Sequence, residues 1–260
     1  MKVSLIITTF NRPEALSIVL KSALYQSIDP YEIIIADDGS NEKTKNLIND
    51  IRKMTKIPIL HSWQEDIGNR TARSRNKAIA KSTADYIVII DGDMLLDKHF
   101  IKDHLSSAKP NLFLQGSRVL IDSKLTKQIL MDQDYRFNFF TKGLKNRINS
   151  LRLPFLAKFF SKEFNKLGGI RSCNMSFYKS DFLKVNGFNN DFDGGWGQED
   201  SEFACRLMNA GLLRKNIKFS AIQFHLYHPE GSSPSKNHKL VEKALAEGLV
   251  FCKNGVNEYL

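Results

Sequence analysis

Two rhythms of apolar residues alternate along the N-terminal part of the chain. Val3 to Thr8 is a continuous β-prone run, after which Pro13, Leu16, Val19, Leu20 and Ala23 recur at helical spacing behind Asn11 as a candidate cap. Glu32 to Ala36 forms a second strand that ends in Asp37-Asp38-Gly39-Ser40. The pattern then predicts a helix over 42–53, a strand over 58–63, a helix over 69–81 and a strand over 86–90. Strands alternating with helices imply an α/β domain with a parallel sheet covered on both faces. Ligands of such sheets sit beyond the carboxyl ends of the strands. The polar clusters fall there: Thr8-Thr9-Phe10-Asn11-Arg12, Asp37-Asp38 and Asp91-Gly92-Asp93.

After about Pro110 the alternation weakens. The segment 135–166 carries Arg136, Lys142, Lys145, Arg147, Arg152, Lys158, Lys162 and Lys166 against a single acid, Glu163, interleaved with Phe137, Phe139, Phe140, Phe155, Phe159, Phe160 and Phe164. Beyond it, a strand is expected over Cys173–Tyr178, a short helix over Asp181–Asn186, and a helix over Glu199–Ala210 closed by Gly211. A strand over 217–224 then leads into His225-Leu226-Tyr227-His228. With no internal repeat, the chain is expected to form one domain: a nucleotide-binding half over 1–110, an acceptor half over 111–234 holding the basic insertion, and a C-terminal helix over 235–260.

Composition narrows this only partly. In 260 residues, 42% hydrophobic content excludes a disordered chain, and 38 Lys+Arg against 28 Asp+Glu give a formal charge of +10. That excess suits nucleic acid, an anionic membrane surface or a phosphorylated substrate without separating them. Cys173, Cys205 and Cys252 are far apart and form no C-x-x-C pair, as expected of free thiols in a cytoplasmic protein. No run reaches the roughly 18 apolar residues of a membrane-spanning helix, and the apolar N-terminus is too short for a signal-peptide core.

Asp91-Gly92-Asp93 follows a buried strand, so two carboxylates project from one rigid edge. Hard carboxylate oxygens of this kind suit Mg²⁺ or Mn²⁺, leaving positions open for phosphate oxygens, although an isolated D-G-D is more commonly a turn. Asp37 or Asp38 can accept from a base N–H or a ribose hydroxyl, and Phe10 can face the ring. All three clusters together favour a nucleotide site over three ordinary strand ends.

The motifs T-T-F-N-R-P, D-D-G-S, R-S-R-N and D-G-D resemble a family 2 glycosyltransferase of the GT-A fold, whose Rossmann-like, mostly parallel central sheet carries helices on both faces. Asn174-Met175-Ser176, Gly187-Phe188 and Gly194-Gly195-Trp196-Gly197-Gln198-Glu199-Asp200 resemble the region shared by β-1,4-galactosyltransferases, polypeptide N-acetylgalactosaminyltransferases and chondroitin-type polymerases. The resemblance implies Asp93 as the principal metal carboxylate with Asp91 beside the donor, Asp200 as catalytic base, Glu199 on acceptor hydroxyls and Trp196 under a sugar. His228 falls where those enzymes place a late metal ligand, with His225 in reserve. Thr8, Phe10, Arg12, and Asp37 or Asp38, match nucleoside- and donor-contacting positions, and Arg70 or Arg75 would reach the base or diphosphate. Two departures stand out: Ala78 follows Arg75-Asn76-Lys77 where relatives have glycine, and Gln198 replaces a glycine of the galactosyltransferases.

The chemistry implied is an inverting, Mn²⁺- or Mg²⁺-dependent transfer of a hexose or N-acetylhexosamine from a UDP-sugar to a glycan or lipid-linked glycan, in bacterial surface polysaccharide synthesis. Segment 135–166 suits docking on an anionic inner-membrane surface beside such an acceptor, and equally an acceptor-side lid with solvated cations. Two rivals remain. A sugar-nucleotide nucleotidyltransferase would carry a glycine-rich phosphate loop after the first strand, which Thr8 to Arg12 lacks. A nucleic-acid-binding protein is favoured only by charge and the Phe-rich segment, with no recognisable binding signature, so nucleic acid is not expected as a partner.

Overall fold

The computed structural model describes residues 1–229 and 237–260. The predicted succession is present at the N-terminus: β1 (Val3–Thr9), α1 (Pro13–Leu24), β2 (Glu32–Asp37), α2 (Glu42–Arg52), β3 (Ile59–Trp63), α3 (Thr71–Ala80) and β4 (Tyr86–Asp91). β1 lies between β2 and β4, parallel to both, and β3 extends the sheet beyond β2. Because side chains alternate across a strand, Leu5, Ile7, Ile33, Ile35, Val88 and Ile90 enter one core while Ile6, Ile34, Ile87 and Ile89 enter the other. Both faces are covered, which is why these strands read as unbroken apolar runs.

The cap of α1 differs from expectation. Arg12 stands at that position without a side-chain cap bond, and Pro13 supplies the helical φ of the first turn. Asn11 is left-handed instead (φ 48°), its Oδ1 accepting from the Asn41 amide at 2.9 Å while its own amide donates to Ser40 Oγ at 2.8 Å. The Asn11 side chain therefore ties the end of β1 to the turn after β2.

The rest of the chain supplies β5 (Met94–Leu96), α4 (Phe100–Ser107), β6 (Leu112–Gln115), β7 (Val119–Ile121), α5 (Ser123–Asp132), β8 (Leu144–Lys145), α6 (Pro154–Phe160), β9 (Lys162–Phe164), β10 (Asn174–Tyr178), α7 (Lys179–Lys184), α8 (Glu199–Asn209), β11 (Leu213–Asn216), β12 (Gln223–His225) and α9 (His238–Ala246). The main sheet has eight strands in the order β3-β2-β1-β4-β10-β6-β11-β9, and a second, four-stranded sheet runs β5-β12-β7-β8. β10 pairs antiparallel with both β4 and β6. Its entry therefore lies at the edge where β1, β4 and β6 end, and the residues leading into β10 reach the same rim.

The single strand expected over 217–224 is instead a crossing between sheets. β11 ends at Asn216 and β12 begins at Gln223, and left-handed Phe219 (φ 56°) and Ala221 (φ 50°) break the extended run between them. The Ala221 amide donates to buried Asp103, which also takes two bonds from Arg152, at 2.6 and 3.0 Å. Arg152 thus anchors the basic insertion to the core, and Phe137 packs there too, 4.3 Å from the Phe224 ring. α9 covers only part of the predicted C-terminal helix; a 3-10 turn at Val256–Tyr259 closes the described chain. Cys173, Cys205 and Cys252 are free and buried. Among the described residues no helix is long and apolar enough to cross a membrane.

Candidate active site

A cleft of about 540 Å³ opens over the ends of β1, β2, β4 and β6, the entry to β10 and the start of α8. Thr8, Phe10, Arg12, Asp38, Asp91, Asp93, Trp196, Glu199, Asp200 and His228 all line it, as does Arg75. Asp37 does not. Its carboxylate is wholly buried, accepting from the Ser40 amide at 2.8 Å and lying 2.7 Å from His61 Nε2, so it braces the turn and leaves the cleft side to Asp38. Asp38 accepts from Gln64 Nε2 at 2.5 Å and from the Arg70 amide at 2.8 Å, and burial pushes its carboxyl above the ordinary value. Arg70 contributes that amide only, because its guanidinium donates to the Glu65 carbonyl outside the cleft.

Arg75 joins the two halves. From α3 its buried guanidinium donates to Thr8 Oγ1 at 3.1 Å, to Asp91 at 3.1 Å and to Glu199 at 2.8 Å. One planar fork thus fixes the end of β1, the acid turn after β4 and the start of α8. The acid turn itself is tight. The Gly92 amide donates to the Thr8 carbonyl at 2.7 Å, and a Cβ on Gly92 would stand 2.9 Å from that oxygen, so the turn needs glycine.

Asp93 faces three cationic or cationisable groups. Oδ2 accepts from Arg12 at 2.7 Å and lies 3.6 Å from His225 Nε2 and 3.5 Å from His228 Nε2. Burial opposes the charge of Asp93, yet the two imidazoles and Arg12 outweigh it and hold the carboxyl below its usual value. Oδ1 of Asp93 is buried without a hydrogen-bond partner among the described residues, a cost that proteins seldom leave uncompensated. His228 Nδ1 lies 2.9 Å from the Pro229 carbonyl. A carbonyl only accepts, so Nδ1 donates there and Nε2 is the ring nitrogen turned toward Asp93. Candidate ligand atoms of Asp93, His225 and His228 lie within 4.8 Å of one another. One carboxylate and two imidazoles with an orphaned oxygen among them fit a divalent ion.

Across the cleft, α8 starts from a loop of unusual backbone: Gly194, Gly197 and Gln198 all have φ of 73–77°. The loop is held by Asn69, whose Nδ2 donates to the Gly195 carbonyl at 2.7 Å, and by Asn237, whose Nδ2 donates to Gly197 at 3.0 Å. Trp196, 53% exposed, turns its ring to the cleft. Asp200 accepts from the Ser172 amide at 3.1 Å and the Ser201 amide at 2.7 Å. Burial, and then the charge of Glu199, push its carboxyl up to about 7 against the pull of Arg75 and those two amides. A carboxyl tuned there exchanges protons near neutral pH, as a general base must.

Asp66, Asn69, Arg118, Arg171, Ser172 and Cys173 also line the cleft and were not anticipated from sequence. Arg118 follows a four-residue strand too short to show a pattern, and Arg171 to Cys173 gain their place only from the reversed direction of β10.

Comparison with known proteins agrees with this geometry. The chain matches the Glycosyl transferase family 2 profile over residues 4–181. It belongs to that family. A second profile, the N-terminal domain of galactosyltransferase, matches residues 158–229, which include α8 and both histidines. The chondroitin synthase of Pasteurella multocida is 28% identical over 82% of this chain and 24% of its own length, and that of Escherichia coli 26% identical over 87% and 35%. The chain therefore spans about a quarter to a third of these curated relatives. Among solved structures, Staphylococcus aureus TarS 1-349 in complex with UDP-GlcNAc superposes with a TM-score of 0.69 at 14% identity, covering 100% of this chain and 69% of TarS 1-349. The mannosyltransferase PcManGT of Pyrobaculum calidifontis, in complex with GDP-Man and Mn²⁺, gives 0.60 at 16% identity over 88% of this chain and 58% of its own. At such identities the likeness establishes the GT-A fold.

Proposed function

We propose that this chain transfers a hexose or N-acetylhexosamine from a UDP-sugar to a hydroxyl of a glycan or lipid-linked glycan, with inversion at the anomeric carbon. The observation that carries this reading is the convergence of Asp91-Gly92-Asp93 and Glu199-Asp200 on one cleft through Arg75. The relatives, polymer synthases among them, and the UDP-GlcNAc complex of TarS support the donor and acceptor classes.

In this reading Phe10 and Asp38 take the nucleoside, an exposed ring and a carboxylate at adjacent strand ends. Asp93 and His228, with His225 beside them, would hold Mn²⁺ or Mg²⁺. When bound, such an ion supplies charge neutralisation on the departing diphosphate. Trp196 offers an apolar platform to a sugar ring. Asp200 receives the proton of the acceptor hydroxyl as that oxygen bonds to the anomeric carbon and the bond to the diphosphate breaks. Glu199 is engaged by Arg75 and therefore orients instead of attacking. Among the described residues Arg75 engages Asp91 and Glu199, so Asp200 is assigned as the one base, and a single base corresponds to inversion.

The basic insertion supports a partner surface as well. Phe155, Phe159 and Phe160 of α6 are 75%, 68% and 53% exposed, beside exposed Lys158 and Lys162. Aromatic side chains flanked by cations suit the anionic cytoplasmic face of a membrane, where a lipid-linked acceptor would be held.

The central test is a donor screen with Mn²⁺ that reads nucleotide release, repeated on Asp93→Ala and Asp200→Asn. Release from a UDP-sugar that both substitutions suppress is expected. Release from no nucleotide sugar would remove the transferase reading, and turnover indifferent to chelator would remove the ion.

A further inference from the structure

The cations of the cleft fall into two groups. Arg12 is paired with Asp93, and Arg75 with Asp91 and Glu199, so their charges are met within the protein. Arg118 and Arg171 line the same cleft, yet neither guanidinium has a hydrogen-bond or ion-pair partner among the described residues. Lys218 Nζ donates to Ser117 Oγ at 3.4 Å, next to Arg118 in the chain.

Their place along the sheet edge gives the unpaired charges a direction. From the nucleoside end the order is Asp38 after β2, Thr8 in β1, Asp91 at the end of β4 with Asp93 just beyond it, Arg171 and Ser172 before β10, and Arg118 after β6. The arginines therefore lie beyond the acid turn, on the side away from Phe10 and Asp38. Arg171 precedes Ser172, whose amide anchors Asp200 at 3.1 Å. An anion held here would sit next to the hydroxyl that Asp200 deprotonates. A guanidinium fork matches a carboxylate or a phosphate in two bonds; Arg118, half-buried in the cleft, is screened less than a cation on open surface, and Arg171 is exposed at the cleft wall.

We infer that Arg118 and Arg171 form an anion-binding subsite for the acceptor, which carries a carboxylate or phosphate close to its attacking hydroxyl. The inference rests on the transferase reading above and adds the acceptor's chemical class to it. Charge-assisted bonds of this kind are worth about tenfold or more each in binding.

The test compares three acceptors with a UDP-sugar donor and Mn²⁺: an oligosaccharide ending in a hexuronate, its carboxyl-reduced neutral twin, and a polyol-phosphate oligomer. The wild-type protein is expected to use one anionic acceptor at least tenfold better in kcat/KM than the neutral twin; which one identifies carboxylate or phosphate. Arg118→Ala and Arg171→Ala are expected to cut that preference to within about twofold by raising the acceptor KM, with the Lys variants intermediate. Equal use of the neutral twin, acceleration by none of the three acceptors, or a rise in donor KM instead of acceptor KM would overturn the subsite. Absence of nucleotide release in the wild type would instead remove the transferase reading beneath it.

Discussion

Arg75 donates to Glu199 at 2.8 Å across 124 positions of chain, and the same guanidinium donates to Asp91 at 3.1 Å. Two acid pairs that the sequence keeps far apart are thereby fixed on opposite walls of one cleft. The guanidinium is buried, so removing it leaves the Glu199 carboxylate, 14% exposed, facing that of Asp91, 35% exposed, with no cation between them. Arg75→Ala is expected to cost about 3 kcal/mol of stability, the lower end for breaking a buried pair. Arg75→Lys is expected to fold but lose roughly 100-fold in kcat/KM, because one ammonium cannot span three acceptors in fixed geometry. Urea titration separates the two effects; a Lys variant with wild-type kinetics would show that the fork does not position the site.

The Asp200 carboxyl, raised to about 7 by burial and by the charge of Glu199, gives the rate a defined pH dependence. A base works only when ionised, so kcat/KM should rise about tenfold per unit below that value and level off above it. Asp200→Asn is expected to lower kcat by roughly 100- to 10,000-fold and to abolish the acidic limb in the residual rate. An acidic limb that persists unchanged in the Asn variant would assign the proton transfer elsewhere.

The orphaned Oδ1 of Asp93 and the oriented Nε2 of His228 predict binding of Mn²⁺ by the protein alone. Titration followed by electron paramagnetic resonance should give one site that Asp93→Ala eliminates. His228→Ala is expected to weaken it by at least the roughly tenfold that even an outer partner of a metal ligand costs. His225→Ala should weaken it too. Wild-type affinity in Asp93→Ala would locate the ion elsewhere.

The part of this site that was legible in sequence lies where strands are buried on both faces. β1, β2 and β4 announce themselves as apolar runs, so their polar ends could be read as one rim. Adjacent identical residues could not be separated. Asp37 continues the register of β2 and is enclosed against His61, whereas Asp38 turns into the cleft, a distinction set by one residue of alternation and by a neighbouring strand. In the second half the strands have two to five residues, and their direction depends on pairing partners far along the chain. Arg118 and Arg171 therefore read as loop cations until β10 is seen to run against β4. Glu199-Asp200 was legible because its motif resembles a known one, but the link through Arg75 was not, since nothing local in α3 names its partners.

α6 presents Phe155 and Phe159 to solvent with their rings in edge contact at 5.6 Å, and Phe160 stands beside Phe219 at 5.5 Å. A small apolar face of this kind costs solubility unless something covers it. Lys158, Lys162 and Lys166 are exposed on or shortly after the same helix, and Arg136, Lys142 and Lys145 are exposed elsewhere in the insertion, whereas Arg152 is held by Asp103. The exposed cations can meet lipid phosphates while the rings enter the interface, each cation contributing about 1 kcal/mol near an anionic surface. Co-sedimentation with vesicles should therefore show binding to phosphatidylglycerol-containing liposomes that weakens with salt, and little to neutral ones. Phe155→Ser with Phe159→Ser is expected to reduce that binding at least tenfold while nucleotide release in solution persists, because neither ring lines the cleft. Equal binding to neutral and anionic vesicles, or none to either, would leave the segment as a lid over the acceptor and not a membrane contact.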